Sequence, residues 1–225
     1  MLIGLISDVH SNAIALKAVL YAMKAEGLQK ILHAGDIVGY NPYPDETIRL
    51  FKENNIISVM GNHDRALMTG DLSGFNPYAA EALKWTRRES APVTFDHIKK
   101  LRTIESLSFD SKKIVMMHGS PYYLDEYIYP EDAIPDLLSA VNSNFLVLGH
   151  THFQFKKEYR EGIILNPGSV GQPRDGNPDA AYAIFDMGTG HVKLKRVTYD
   201  IEKVIEDMLA AHLPKKLAFR LREGI

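Results

Sequence analysis

Residues 2–12 read LIGLISDVHSN, an apolar run suited to a buried strand that stops where Asp8 and His10 stand two positions apart. On an extended backbone alternate side chains leave the same face, so the spacing predicts that a carboxylate and an imidazole converge on one point beyond the strand. A different period follows. Leu16, Val19, Leu20 and Met23 recur at i, i+3, i+4 and i+7, with Ser11 or Asn12 as cap and Gly27 as stop, which predicts a helix.

This alternation continues down the chain. KILHAG (30–35) and IISVMG (56–61) flank a helical pattern from Asp45 to Asn54, and IVMMHG (114–119), FLVLGH (145–150), GIILNPG (162–168) and AYAIFDM (181–187) supply further strands. Ile134, Leu137, Leu138 and Val141 form another helical face, and Val204, Ile205, Met208 and Leu209 mark a C-terminal helix beginning near Asp200. Nearly continuous apolar strands separated by helices imply an α/β protein with sheet covered on both faces. With no internal repeat, low-complexity tract or linker, residues 1–225 read as a single domain. Residues 67–109 carry helical patterns after Asn76-Pro77 and after Thr94 but no clear strand, and are expected to form a helical lid beside the site.

Of the 225 residues 45% are hydrophobic and 24% charged, enough to bury one substantial core. Lys and Arg number 26 against 28 Asp and Glu, a formal net charge of -2. No overall field therefore draws the chain to nucleic acid or to an anionic membrane, and an anionic substrate must be attracted locally. The absence of cysteine excludes disulfides, thiolate nucleophiles and thiolate metal sites. The apolar start ends at Ser7 with no basic segment before it, and no apolar run reaches membrane-spanning length, so a soluble cytoplasmic protein is expected.

The strand ends carry the chemistry. The first ends in SDVH, the second in HAGD with Asp36, the third in MGNHD with Asn62 and His63, the fourth in MMHGSP with His118, and the fifth in LGHTH with His150 and His152. In open α/β sheets the strand C-termini form the ligand-binding edge. Asp8, His10, Asp36, Asn62, His118, His150 and His152 are oxygen and nitrogen donors suited to divalent Mn, Fe, Zn, Co or Ni, and they are too many for a single ion. Two metals about 3.5–4 Å apart fit, with Asp36 as the shared ligand. Two divalent ions, two carboxylates and one hydroxide leave about one net positive charge, the local attraction for phosphate that the composition lacks.

The series DVH, GD, GNHD, HGSP and GHTH, in this order, resembles the calcineurin-like metallophosphoesterase superfamily. NPGSVGQPRDG (166–176) followed by AYAIFD is similar to its small prokaryotic phosphodiesterase or diadenosine-tetraphosphatase-like branch. The resemblance implies a four-layer α/β/β/α sandwich with two mixed sheets and a dinuclear metal site at the strand C-terminal ends. Asp8, His10, Asp36 and His152 would bind the first metal, and Asp36, Asn62, His118 and His150 the second, with manganese favoured. His63 would be the acid serving the leaving group. The implied function is a phosphoric ester hydrolase acting on small phosphodiesters or nucleotides through a metal-bridging hydroxide. The alternatives are a phosphomonoesterase or nucleoside-polyphosphate hydrolase, and a non-catalytic scaffold such as the retromer subunit of this fold, which the intact ligand positions disfavour.

Eukaryotic protein phosphatases of the superfamily carry an Asp and an Arg after GD and an Arg before GNH. Here GDIVGY and VMGNHD place Gly39, Tyr40 and Met60 in those neighbourhoods, which argues against protein phosphatase activity. Arg65 and Arg174 are candidate phosphate clamps, since a guanidinium grips two phosphate oxygens, and Asn62 and His63 also face substrate in this reading. Asp64 either orients His63 in catalysis or holds the turn. Trp85, Tyr40 and Tyr43 either stack a base or pack. His33 reads as a packed histidine and His97, His191 and His212 as surface or helix residues, while Asn166, Gly168 and Ser169 shape a loop under the metal edge.

Overall fold

A computed structural model describes residues 1–28, 30–109 and 112–225. The opening stretch forms strand β1 (Leu2–Ile6) and helix α1 (Ala13–Ala25), the helix capped by Asn12, whose side chain accepts from Ala15 N at 3.0 Å. There follow β2 (Lys30–His33), α2 (Pro44–Glu53), β3 (Ile57–Ser58), α3 (Asn62–Thr69), α4 (Pro77–Glu89), α5 (Pro92–Ile98), β4 (Ile104–Phe109) and β5 (Lys112–Met117). The second half contains α6 (Asp136–Ala140), β6 (Phe145–Val147), β7 (Phe155–Glu158), β8 (Ile163–Asn166), β9 (Ala180–Asp186), β10 (Val192–Val197), α7 (Ile201–Ala210), α8 (Lys215–Phe219) and a 3-10 turn (Arg220–Arg222).

The strands make two mixed sheets, ordered β10-β9-β1-β2-β3 and β4-β5-β6-β8-β7. β1, β2 and β3 are parallel, as are β5, β6 and β8, while antiparallel strands border each set. Side-chain alternation sorts the core into layers. Ile3 and Leu5 of β1 face the second sheet and join Ile114, Met116, Phe145, Leu165 and Phe185 between the sheets. Ile6 faces the other way, into a cluster with Leu16 and Val19 of α1 and Ile48 and Phe51 of α2. The outer face of the second sheet is covered by Ile128, Ala133 and α6 through Leu137 and Leu138. This is the four-layer arrangement expected, with one helical layer reduced to a short helix and its preceding loop. A separate cluster outside the layers joins α4, α7 and α8 to Tyr40. No helix among the described residues is long and apolar enough to cross a membrane.

Several local expectations change. Residues 67–109 do contain a strand, β4, antiparallel to β5. Its sequence IESLSF places polar residues among the apolar ones, as an edge strand allows, so it lacks the apolar run that reveals a buried strand. β7 and β10 are polar border strands missed for the same reason. IISVMG yields only a two-residue strand, and α6 is five residues long with Ile134 outside it and 48% exposed. α5 starts at Pro92, ahead of the helical pattern expected after Thr94, because a proline is well suited to the first helical turn.

Phe145 of β6 and Phe185 of β9 stack across the two sheets, ring centroids 4.2 Å apart and planes 23° from parallel, both buried. Phe185→Ala opens a cavity that neither sheet can close, and should lower the free energy of unfolding by about 3–5 kcal/mol in chemical denaturation, with metal content unchanged. A loss below about 1 kcal/mol would show that the sheets are held together elsewhere.

Candidate metal centre

The convergence read from LIGLISDVHSN occurs, but not through the pleat of a strand. β1 ends at Ile6, and Asp8, His10, Asp36, His150 and His152 all take left-handed conformations, with φ of 53°, 48°, 62°, 70° and 59°. Non-glycine residues there cost on the order of 1–3 kcal/mol each and persist only where surroundings impose them. The surroundings are explicit. Asp8 N donates to Gly35 O (3.0 Å), His10 N to Asp36 O (3.0 Å) and Ser11 N to Ile37 O (2.8 Å), so the loops after β1 and β2 hold each other beyond the strands. Ser169 Oγ donates to Asp8 O (2.7 Å), and Asn166 Nδ2 to Gly149 O (2.7 Å) and Thr151 Oγ1 (2.9 Å). The NPGS loop is therefore a brace for two of the ligand-bearing turns.

Four histidines have one ring nitrogen fixed on a backbone carbonyl. His10 Nδ1 donates to Val38 O (3.1 Å), His118 Nδ1 to Ala34 O (2.8 Å), His152 Nδ1 to Gln172 O (2.6 Å) and His150 Nε2 to Asp125 O (3.0 Å). A carbonyl only accepts, so in each neutral ring the other nitrogen carries a bare lone pair. His10 Nε2 and His152 Nε2 face each other at 3.0 Å, and His152 Nε2 is 3.2 Å from Asp8 Oδ1, a buried oxygen with no hydrogen-bond donor. Burial pushes both rings below the ordinary histidine range, and the neighbouring histidines or Arg174 add to this. Such a group of electron-rich atoms fits a cation. Two nitrogens about 2.1 Å from one ion at a right angle would stand about 3 Å apart.

Asp36 joins the two halves of the site. Its Oδ2 lies 3.6 Å from His10 Nε2 and 3.2 Å from His118 Nε2, while Asn62 Oδ1 is 3.0 Å from the same His118 nitrogen. The ligand-capable atoms fall into three groups within 4.8 Å: Asp8, His10 and His152; His10, Asp36 and His63; and Asp36, His118 and His150. His118 is the electrostatic exception. Burial works against its charge, but Asp36 and then Asp8 push it up to about 10. Burial drives His150 down to about 3, with His118 adding to the effect. All seven residues expected to be ligands are thus brought together.

Glycine at 61 is required by close approach, because a Cβ there would run into the Asp36 carboxylate and backbone nitrogen. His63, 3% exposed, donates its backbone N–H to Asp36 Oδ1 at 2.8 Å, and its ring sits among those of His10, Tyr40 and Phe75. Asp64 does not touch that ring. Its Oδ2 accepts from Asp36 N and Gly61 N and its Oδ1 from Ile37 N and Val38 N, at 3.0–3.2 Å. Both carboxylate oxygens are thereby committed to the turn that carries Asp36, and Asp64 is fully buried outside the pocket. The geometry answers to the turn-holding reading, against a catalytic Asp64.

Beside the ligands opens a pocket of about 620 Å³. Asp36, Asn62, His150 and His152 are at its floor, and Tyr40, His63, Arg65, Phe75, Arg174 and Arg220 are among its walls. Arg65 pairs with Asp125 on the rim. Arg174 Nη2 donates to Tyr40 Oη (3.2 Å) and Gln172 Oε1 (3.1 Å). Trp85 and Tyr43 do not line the pocket: Trp85 packs in the α4–α7–α8 cluster and Tyr43 Oη donates to Asp207. His33 is packed, its Nδ1 2.7 Å from Ser58 Oγ, and burial pushes it to about 3. Arg220, Phe75 and the four histidine-anchoring carbonyls were not anticipated. The carbonyls leave no mark in side-chain identity, and Arg220 lies in no motif.

Asp64→Ala would leave four backbone N–H groups without their acceptor. It should lower stability by at least about 3 kcal/mol, given about 1–3 kcal/mol per unsatisfied buried group, and reduce bound metal through displacement of Asp36. Denaturation and metal analysis check this. A large fall in kcat with stability and metal content intact would restore Asp64 to the catalytic set.

The comparisons with known proteins agree with this geometry. Residues 1–190 match the sequence profile of the calcineurin-like phosphoesterase superfamily domain. The chain is 35% identical to an uncharacterised protein of Methanocaldococcus jannaschii, the alignment covering 99% of this chain and 98% of that one. It is 24% identical to phosphodiesterase YfcE of Escherichia coli over 80% of this chain and 84% of that protein. The crystal structure of a metallophosphoesterase from Sphaerobacter thermophilus superposes with a TM-score of 0.84 at 34% identity, covering 100% of this chain and 99% of that one. With a family match over most of its length and the expected donor residues assembled at the common edge of the two sheets, this chain belongs to the calcineurin-like phosphoesterase superfamily and is a metal-dependent phosphoesterase.

Proposed function

We propose that the chain hydrolyses small phosphodiesters or nucleotides, with manganese as the favoured metal and the cytoplasm as its setting. One observation carries the reading: imidazole lone pairs fixed by backbone carbonyls converge with Asp8 Oδ1 and Asp36 Oδ2, and Asp36, His150 and His152 of this group line a pocket far larger than one phosphate. Asp8, His10, Asp36 and His152 would hold one ion, and Asp36, Asn62, His118 and His150 the other. Bound there, divalent ions neutralise phosphoryl oxygens and lower the pKa of water. The likeness to a protein named as a phosphodiesterase supports the diester preference.

The remaining work falls to the protein. Asn62 and Arg174 orient the phosphoryl group, and Arg65, already held by Asp125, borders the entrance. His63 serves the leaving oxygen. Burial pushes its imidazole down to about 4, with Asp36 pulling up and Arg174 pushing down. An anionic substrate beside the ring raises it again, which couples proton donation to substrate binding. The lid narrows to the portion of residues 67–109 that borders the pocket: Thr69, Asp71, Ser73, Gly74, Phe75, Asn76 and Ala79. α5 and β4 belong to the scaffold.

His63→Gln should slow a nucleoside or alkyl ester by about 100- to 10,000-fold, the range of general acid catalysis. A p-nitrophenyl ester, whose leaving group needs no proton, should slow distinctly less. The measurement is kcat on bis(p-nitrophenyl) phosphate and on a nucleoside diester at saturating metal, with bound metal quantified. Equal losses on both, with metal retained, would exclude His63 as the proton donor. Absence of phosphoester turnover by the parent with any divalent metal would exclude the activity itself.

A further inference from the structure

Residues 119–129, directly after the candidate ligand His118, read GSPYYLDEYIY. They form neither helix nor strand, yet they are held in place. A Cβ at Gly119 would run into the Leu124 backbone oxygen, so the chain doubles back closely on the end of β5. Ser120 N donates to Tyr123 O (3.0 Å), and Ser120 Oγ accepts from Tyr122 N and Tyr123 N (both 3.1 Å), a turn of the kind that a serine hydroxyl favours. Ile128 is buried in the cluster on the outer face of the second sheet. Its neighbour Tyr127 lines the pocket and is 49% exposed.

Of the four histidines anchored on carbonyls, His150 alone takes its anchor from this loop. His10, His118 and His152 donate Nδ1 to Val38, Ala34 and Gln172, whereas His150 donates Nε2 to Asp125 O at 3.0 Å. A neutral His150 therefore offers Nδ1. The Tyr127 ring lies flat on the His150 ring, centroids 3.9 Å apart and planes 22° from parallel. The His150 backbone N–H is held separately, by Asp8 Oδ2 at 3.1 Å, which leaves the aim of the ring to the loop. Arg65 ties the same loop to α3, the helix that begins at Asn62, by pairing with the Asp125 side chain. The loop thus meets the set of Asp36, Asn62, His118 and His150 from two sides. Among the described residues no hydrogen bond or ring contact joins residues 121–129 to Asp8, His10 or His152.

We infer that Tyr127 is a positioning residue: with the Asp125 carbonyl it fixes the His150 ring, and so sets the affinity of the second ion while leaving the first unchanged. A single hydrogen bond leaves an imidazole free to swing about it, and a ring stacked on its face removes that freedom. The inference rests on the two-ion reading above and adds what sets the hold on one of the ions. A half-exposed tyrosine that only packed would influence neither.

The test is equilibrium dialysis of the metal-loaded full-length chain against graded free manganese, with bound manganese counted. The parent should hold two equivalents. Tyr127→Ala should raise the free manganese that half-fills one equivalent by about 10- to 100-fold, the range found when a residue that orients a metal ligand is lost, and the other by less than about threefold. Tyr127→Phe keeps the ring and should stay within about threefold of the parent for both. Anomalous diffraction from Tyr127→Ala, at a free manganese that fills one equivalent, should place the retained ion at Asp8, His10 and His152. An ion retained at His118 and His150, equal weakening of both equivalents, unchanged affinities, or a Phe variant as weak as the Ala variant would each overturn the inference alone. A parent that holds a single equivalent would overturn the two-ion reading and the inference with it, and turnover of bis(p-nitrophenyl) phosphate by the parent reports separately on the phosphoesterase activity.

Discussion

A neutral imidazole that donates one N–H to a fixed carbonyl has its other nitrogen bare, and the centre of this protein depends on that constraint. Val38, Ala34, Gln172 and Asp125 supply the carbonyls, and each belongs to a loop at the common edge of the two sheets. The rings cannot turn to share protons without breaking those bonds. Lone pairs are thus held facing one another and facing Asp8, an arrangement that protein groups alone do not satisfy and that a divalent cation does. The backbone strain at five of the seven candidate ligands is the geometric cost of that aim.

Two parts of the molecule divide the work. The sheet-based part supplies rigid elements, the parallel strands whose ends deliver every ligand. The second part, made of α4, α7, α8 and the loop before α4, packs as its own cluster and meets the first through Tyr40. Tyr40 contacts the rings of His10 and His63 and the guanidinium of Arg174. The candidate ligands sit on the sheets, while the second part supplies Phe75, Asn76, Ala79 and Arg220 to the pocket beside them or to its margin.

The seven candidate ligands were legible because donor residues ended apolar runs, and no packing requirement explains donors at five such ends together. The sandwich followed from the buried strands for the same reason. What was hidden depended on backbone geometry or on distant segments. The i, i+2 spacing of Asp8 and His10 suggested a pleat, whereas left-handed residues make the convergence. Asp64 adjoins His63 in sequence and invited a shared role, yet its side chain turns back to the Asp36 loop. β4, β7 and β10 border their sheets or carry polar faces and so lack the apolar signature. Arg220 is an unremarkable residue of a helical turn until α7 and α8 pack on α4.

The brace on Asp8 comes from the other end of the chain. Ser7 O accepts from Val170 N, Asp8 O accepts from both Gly171 N and Ser169 Oγ, and β1 takes β9 as its antiparallel neighbour. Both bonds to the carbonyl of Asp8, the earliest candidate ligand to leave the ribosome, therefore form only once residues 169–171 have emerged. Closing so long a loop is entropically costly and slow relative to local contacts. Metal capture in a nascent chain is accordingly a late event, and a truncated product of translation would expose the same histidines and carboxylates without the geometry that makes them selective.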